Sequence, residues 1–148
     1  MNQLVCPVDQ TTLVLSKTAG EESSTCPKCD GVWLTLDTLE ILEDRAANAN
    51  MVKGQRQYGK HEVDHDCPHC RKNMIRFRYR GYNLEIESCP TDAGFWLDKS
   101  EEREIRDVMK KRASNLARSS SAEQSWHNAR RGVKISLFQR IKQLFGID

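Results

Sequence analysis

The nonapeptide Cys26-Pro27-Lys28-Cys29-Asp30-Gly31-Val32-Trp33-Leu34 occurs twice, in related form, in this chain of 148 residues. The second copy is Cys89-Pro90-Thr91-Asp92-Ala93-Gly94-Phe95-Trp96-Leu97, at an offset of 63 residues. Upstream of each, Cys6-Pro7-Val8-Asp9 matches Cys67-Pro68-His69-Cys70 at an offset of 61. Two segment pairs with nearly the same offset indicate an internal duplication.

Each copy has the spacing of a zinc site. Copy one reads C-x2-D-x16-C-x2-C and copy two reads C-x2-C-x18-C-x2-D. Both fit the paired-knuckle pattern C-x2-C-x(15–20)-C-x2-C with one cysteine exchanged for aspartate. A carboxylate oxygen is an accepted zinc ligand. We therefore predict two Zn²⁺ ions per chain, held by Cys6, Asp9, Cys26 and Cys29 and by Cys67, Cys70, Cys89 and Asp92.

The aspartates leave one alternative open, because three cysteines beside a non-coordinating aspartate would form an incomplete site with water in the fourth position.

His61, His65 and His69 lie close to the third knuckle. Since four ligands are already present there, we interpret these histidines as solvated, with His69 facing away from the ion. Gly31 and Gly94 are expected to allow the turn that leaves each second knuckle.

The composition also favours a fold that depends on metal. The chain is 38% hydrophobic and 30% charged, with a mean hydropathy of -0.69, which is too polar for a large core. Residues 1–7 lack the pattern of a signal peptide, and no stretch approaches the roughly 18 to 20 apolar residues of a membrane span. We therefore expect a cytoplasmic protein whose cysteines are reduced and bind metal.

The element pattern predicts a small, metal-stabilised α+β protein with two tandem zinc ribbons, each a knuckle, a β-hairpin, a second knuckle and a helix. Asp37 and Asp98 are predicted to open the two helices as capping-box residues. Trp33 and Trp96 are expected to pack each helix against its ribbon. The predicted divisions are ribbon 1 at residues 1–47, a linker at 48–66, ribbon 2 at 67–116, a polar linker at 117–132 and an amphipathic tail helix at 133–146.

The second hairpin bears on nucleic-acid binding. The run Arg76-Phe77-Arg78-Tyr79-Arg80 has the arginines and aromatics that single-stranded nucleic acid stacks upon. A turn at Gly81-Tyr82 would, however, pair Arg78 with Glu85 and Arg76 with Glu87. The candidates that remain for nucleic acid are Arg71, Lys72 and Arg80.

The tail has a separate pattern. Leu137, Phe138, Ile141, Leu144 and Phe145 fall on a helical arc about 120° wide, with Arg140 and Lys142 at its borders. Such an arc is expected to pack against another apolar surface, and three alternatives for that surface stay open. They are the chain's own ribbons or a second copy, a groove on a protein partner, and an anionic membrane surface.

The motifs "CPVD", "CPKCDGVWL" and "CPHC" resemble the bacterial zinc-ribbon family named after the transcription factor TFIIB. The resemblance covers about residues 1–45 and 65–108, and it implies zinc binding through the eight residues named above. Copy two departs from the motif at Asp92. The motifs of zinc deaminases and metalloproteases do not occur. The leading hypothesis is a non-enzymatic adaptor that binds a protein partner, with an association with transcription suggested by the family name; the alternative is a nucleic-acid-binding ribbon protein.

Overall fold

The computed structural model describes residues 3–47 and 55–145, with side chains for residues 3–47 and 55–130. The chain divides into two units, Met1–Lys111 and Arg112–Asp148, which we call the ribbon unit and the helical unit. No helix among the described residues is long and apolar enough to cross a membrane.

In the ribbon unit, the described residues form one antiparallel sheet of seven strands in the order β1-β2-β3-β7-β6-β5-β4. The strands are β1 Val14–Thr18, β2 Glu21–Thr25, β3 Val32–Thr35, β4 Gln57–Asp66, β5 Asn73–Tyr79, β6 Glu85–Ser88 and β7 Gly94–Leu97. Helix α1 is Leu36–Ala47 and helix α2 is Glu101–Phe145. The predicted class is confirmed, because the protein is a small α+β structure with two groups of metal-ligand residues.

The two copies are joined in the middle of this sheet. Strand β3 of copy one pairs with β7 of copy two, and Trp33 lies opposite Trp96. These tryptophans occupy equivalent positions in the repeat, so the copies are related by a local two-fold axis that passes between them. The ribbons therefore share one sheet and one core.

The register of the second hairpin agrees with the prediction. Arg76 pairs with Glu87, Phe77 with Ile86 and Arg78 with Glu85, and the Tyr79 N–H donates to the Leu84 carbonyl at 2.8 Å. Phe77 and Ile86 are buried, whereas Arg76 donates from Nε to Glu87 Oε1 at 3.1 Å. The first hairpin, β1 with β2, also forms.

The helix starts differ from the prediction. Helix α1 begins at Leu36, and the Thr38 N–H donates to Thr35 Oγ1 at 3.3 Å, so Thr35 rather than Asp37 is the capping residue. Helix α2 begins at Glu101, whose Oε2 accepts from the Asp98 N–H at 2.7 Å. Glu101 thus binds the Asp98 N–H as it would in a capping box, but the helix starts three residues later than Asp98, so Glu101 is its first residue and not its third.

Both segments predicted as linkers contain regular structure. Residues 57–66 of the first linker form β4, which pairs with β5 along an outer edge of the sheet. The polar stretch 117–132 lies wholly within α2, which continues past the expected end at Leu116. In this stretch the hydroxyls of Ser119, Ser120 and Ser121 donate to carbonyls four residues earlier. Serine side chains bonded in this way are compatible with a continuing helix.

Helix α2 includes all five residues of the predicted apolar tail arc, Leu137, Phe138, Ile141, Leu144 and Phe145. Their side chains, and residue 146 of the predicted tail, lie outside the described residues.

The tryptophans pack across the repeat rather than each between its own helix and ribbon. A Cβ on Gly31 would lie 2.2 Å from Cζ2 of Trp96, and a Cβ on Gly94 would lie 2.1 Å from Cζ2 of Trp33. Neither glycine has a positive φ, so both provide space for the opposite indole rather than a turn. Buried cysteines of both copies belong to the same apolar cluster as the two indoles.

Candidate metal centre

Four knuckles with the same backbone geometry supply the candidate ligands. In each, the first cysteine N–H donates at 2.8 Å to the carbonyl five residues later, which belongs to Thr11, Gly31, Lys72 or Gly94. The N–H two residues after each first cysteine donates to its sulfur at 3.4 Å; these donors are Val8, Lys28, His69 and Thr91. The knuckles with aspartate thus fold like those with two cysteines, and this places Asp9 and Asp92 where Cys29 and Cys70 lie in the others.

The residue after each second ligand adopts a left-handed backbone. Gln10, Asp30, Arg71 and Ala93 have φ between 49° and 62°. Residues other than glycine visit this region at a cost on the order of 1 kcal/mol. The turn was predicted at Gly31 and Gly94 and not at these four positions, although each of the four follows the same C-P-x-[CD] pattern.

The first centre brings together the four predicted residues of copy one. Cys6 Sγ lies 3.6 Å from Cys29 Sγ, and Cys26 Sγ lies 3.6 Å from both carboxylate oxygens of Asp9. Cys6 and Cys26 are fully buried. One donor atom from each of the four residues lies within 4.8 Å of all the others.

The second centre has the same arrangement with the residues of copy two. Cys70 Sγ lies 3.4 Å from Cys89 Sγ. Asp92 Oδ2 lies 3.7 Å from Cys67 Sγ and 3.6 Å from Cys89 Sγ. Asp92 is exposed, whereas Asp9 is half-buried, so the second centre is more open to solvent.

These separations fit a tetrahedral zinc ion. Bond lengths of about 2.3 Å for Zn–S and about 2.0 to 2.2 Å for Zn–O give S···S edges of about 3.8 Å and S···O edges of about 3.6 Å. The observed contacts between donors are 3.4 to 3.7 Å. A disulfide would need about 2.0 Å, and all six cysteines are free.

The burial of the thiols also favours a bound cation. Burial raises the pKa of Cys67 to about 12, and it raises the pKa of Cys6 and of Cys29 above the ordinary thiol value. Three thiolates in one such site would be costly without a nearby positive charge. Zinc supplies that charge and displaces the thiol protons, and the backbone N–H groups aimed at the sulfurs stabilise the thiolates.

The two aspartates are held in different ways. The Thr11 N–H donates to Asp9 Oδ1 at 3.0 Å and lowers the pKa of Asp9 to about 2. The pKa of Asp92 is lowered chiefly by Cys70 and also by His69, whose Nδ1 lies 3.2 Å from Asp92 Oδ2. Both carboxylates are therefore ionised at neutral pH, as a zinc ligand must be.

The structure corrects the interpretation of two histidines. His69 is exposed, as predicted, but it contacts the candidate ligand Asp92 instead of facing away from the centre. His65 Nδ1 lies 3.0 Å from both carboxylate oxygens of the buried Glu87, so it is not simply solvated. His61 is exposed and contacts only the nearby Gly59 carbonyl among the described polar contacts.

Thr91 was also missed by the sequence analysis. Its hydroxyl lies 3.2 Å from Cys70 Sγ and 3.4 Å from Cys89 Sγ. The corresponding position in copy one is Lys28, whose side chain lacks a hydroxyl. Within the described part of the chain, a hydroxyl hydrogen bond to the sulfurs is thus found at the second centre and not at the first.

The nucleic-acid candidates separate into two kinds. Arg71 and Lys72 are exposed. Arg80 is only 6% exposed, and its Nη2 lies 3.2 Å from Oε2 of the buried Glu43. Burial thus makes Arg80 unavailable to nucleic acid.

Glu43 is the centre of a buried polar cluster that links the copies. Its carboxylate accepts from the Tyr79 hydroxyl at 2.5 Å and from Arg56 Nε at 3.1 Å. Glu43 comes from the helix of copy one, while Tyr79 and Arg80 come from the hairpin of copy two. No short motif signals these contacts, because they join residues 36 and 37 positions apart.

The sheet and the two four-donor sets define a zinc-binding module of the zinc-ribbon class. More particularly, residues 5–45 match the family described as transcription factor zinc-finger, a TFIIB-type zinc ribbon. This match covers the first copy; the second copy is supported by its donor set alone. No curated protein and no solved structure matches the chain.

Proposed function

We propose that this protein is a non-enzymatic adaptor in which two structural zinc ions hold the ribbon unit and helix α2 docks the protein to a partner. The observation that carries the proposal is the exposure of α2. Every side chain from Ser114 to Arg130 is exposed, and Trp126 is 72% exposed. A tryptophan so exposed on a long helix is typical of a recognition surface.

The metal centres support a structural role. Each offers four protein donors, which together would fill the tetrahedral shell of a zinc ion and would leave no position for a substrate or an activated water. The donors are also part of the core, because the cysteines pack with Trp33 and Trp96. Zinc here would stabilise the fold in the way that structural zinc does in small polar domains.

The nucleic-acid alternative has less support from the ribbon unit. Arg80 is buried with Glu43, Arg76 pairs with Glu87, and Arg56 pairs with Glu40 and Glu43. Arg71 and Lys72 remain exposed, but two cations provide only a small part of the charge that a nucleic-acid site uses.

The adaptor role predicts that the full-length protein, in an extract of its own cells, migrates in native sizing with an assembly larger than a monomer. Replacing Trp126 by Ser together with Ile141 by Asn should return it to the monomer position while the zinc content stays at two per chain. A parent protein that migrates only as a monomer would contradict the proposal. If the double variant lost zinc, the same measurement would be made on each single substitution.

A further inference from the structure

The helical unit has the opposite charge to the ribbon unit. Seven of the 23 basic residues and two of the 21 acidic residues lie in residues 112–148, which gives that unit a formal charge of +5 and residues 1–111 a formal charge of -3. Each loaded zinc centre, with three thiolates and one divalent ion, adds about one more negative charge to the ribbon unit. The positive charge of the protein is thus concentrated in the helical unit.

Within that unit the basic residues are gathered near the apolar arc. Residues 124–147 contain no aspartate or glutamate, and they contain five basic residues, Arg130, Arg131, Lys134, Arg140 and Lys142. The backbone is helical through Phe145. A basic helix with an apolar arc is typical of segments that lie in a lipid–water interface.

The exposed Trp126 belongs to the same face as the arc. It precedes Leu137 by eleven residues, or about three helical turns. Val133 precedes Leu137 by four residues and also lies near this face. The face thus extends over about five turns. Its N-terminal end carries Trp126, and tryptophan is enriched at membrane interfaces.

Two basic residues fall inside the face rather than at its borders. Arg130 precedes Leu137 by seven residues and Lys134 precedes Ile141 by seven, which is about two turns in each case. A dry protein groove would bury these cations among apolar groups, at a high cost unless each found a carboxylate. At a lipid surface their apolar stems would lie along the face while their charged ends reach phosphate groups.

We propose, on the basis of the docking role given to α2 above, that its partner is an anionic lipid surface. Residues 126–145 would lie in the interface with Trp126 and the apolar arc toward the acyl chains. The five basic residues would contact anionic headgroups. The acidic ribbon unit would be repelled by the same surface and would stay in the aqueous phase.

The test uses the full-length, zinc-loaded protein with vesicles of phosphatidylcholine alone or of phosphatidylcholine mixed with phosphatidylglycerol. Trp33 and Trp96 are only 8% and 1% exposed, so quenching by acrylamide reports mainly on Trp126. We expect the phosphatidylglycerol vesicles to shift its emission to shorter wavelength and to protect it from quenching. Phosphatidylcholine alone should do so weakly, and added salt should weaken the binding.

A matched pair of variants tests whether lipid binding depends on the apolar arc or on apolar residues anywhere in the helix. Ile141→Asn lies in the arc, and Ile135→Asn makes the same change at a position outside the arc, about 120° away from Ile141 around the helix. We expect Ile141→Asn to weaken partitioning by about tenfold or more and Ile135→Asn by less than about threefold. Replacing Arg140 and Lys142 by Gln should weaken partitioning by on the order of tenfold. Zinc content should be unchanged in all of them.

Four results from the purified protein would overturn the proposal. The first is the absence of binding to phosphatidylglycerol vesicles at low salt, and the second is equal weakening by the two isoleucine variants. The third is an Ile141-dependent dimer formed without lipid, and the fourth is a complex with duplex DNA that is insensitive to Ile141→Asn. An assembly in cell extracts that survives detergent would also contradict the lipid partner while leaving the adaptor role intact, whereas a monomer in those extracts would contradict the adaptor role itself.

Discussion

The indole of Trp96 occupies the space that a side chain on Gly31 would need, since a Cβ there would lie 2.2 Å from Cζ2 of the ring. The equivalent contact joins Trp33 to Gly94. The repeat motif therefore stabilises the junction between the copies, because each glycine receives the tryptophan of the other copy. Two ribbons that would each be too small for a stable core gain a common one.

Gly31→Ala should destabilise the ribbon unit by about 3 kcal/mol or more, because the methyl group would overlap a rigid indole packed in the sheet. Urea unfolding of the zinc-saturated protein would measure the change. In a Trp96→Leu background the added methyl has more room, and the same substitution should cost at least about 1 kcal/mol less. If Gly31→Ala lowered the free energy of unfolding equally in both backgrounds, the indole of Trp96 would not be the reason that glycine is required at position 31.

Asp9→Asn should weaken zinc binding at the first centre by about tenfold or more, because a neutral amide is a poorer zinc ligand than a carboxylate. Asp30→Asn is the matched control. Asp30 follows Cys29 in a knuckle, but its Oδ2 contacts Lys99 Nζ at 3.0 Å and it is not in the donor set. Competition with a chelator would measure both. If Asp9→Asn bound two zinc ions as tightly as the parent, Asp9 would not be a ligand.

His69→Ala should lower zinc affinity at the second centre alone, by up to about tenfold, because its ring orients the ligand Asp92. The first centre has Val8 at the matching position and should be unaffected. Cobalt substitution would report on each centre through its thiolate absorption. His61→Ala removes an exposed ring whose one polar contact among the described residues is with a backbone carbonyl, and it should leave both centres unchanged. A comparable loss in that variant would point to a general effect on folding.

Glu43→Ala should cost about 3 to 5 kcal/mol, because it leaves the buried Arg80 without its carboxylate. Glu40→Ala is the matched control, since Glu40 binds the same Arg56 but its side chain is 45% exposed. That change should cost less than about 1 kcal/mol. Equal unfolding midpoints for the two variants would show that the buried cluster does not stabilise the junction.

Glu101 should make the stability of the ribbon unit depend on pH. Burial, with the nearby carboxylates of Asp98 and Glu104, outweighs the hydrogen bond from the Asp98 N–H and raises the pKa of Glu101 to about 8. In the unfolded chain this carboxyl group ionises near pH 4.5. The contribution of Glu101 to the free energy of unfolding is therefore complete below that pH and is lost as the pH rises to about 8.

Glu101→Gln removes this ionisation. Between about pH 6 and pH 9 the variant should therefore lose about 1 to 3 kcal/mol less stability than the parent. Urea midpoints measured with saturating zinc would show the difference. Glu102→Gln removes the neighbouring carboxylate, which is paired with Arg106. This variant should show the same dependence of stability on pH as the parent.

The eight candidate ligands could be identified from the sequence because knuckle spacing is local. A tight turn fixes the direction of two ligands whatever the rest of the chain does. The register of β5 with β6 was also predictable, since a short turn and alternating apolar residues determine it. The family resemblance of residues 1–45 follows from the same local motifs and agrees with the match at residues 5–45.

The tertiary structure decided what joins the copies. The pairing of Trp33 with Trp96, the seating of each indole on the opposite glycine, and the burial of Arg80 with Glu43 bring together residues 37 to 65 positions apart. No local pattern encodes such contacts, because they depend on how two finished ribbons fit together. Likewise, the sequence by itself determined the zinc chemistry through ligand type and spacing, whereas only the packing of the sheet turned two predicted modules into one unit with a shared core.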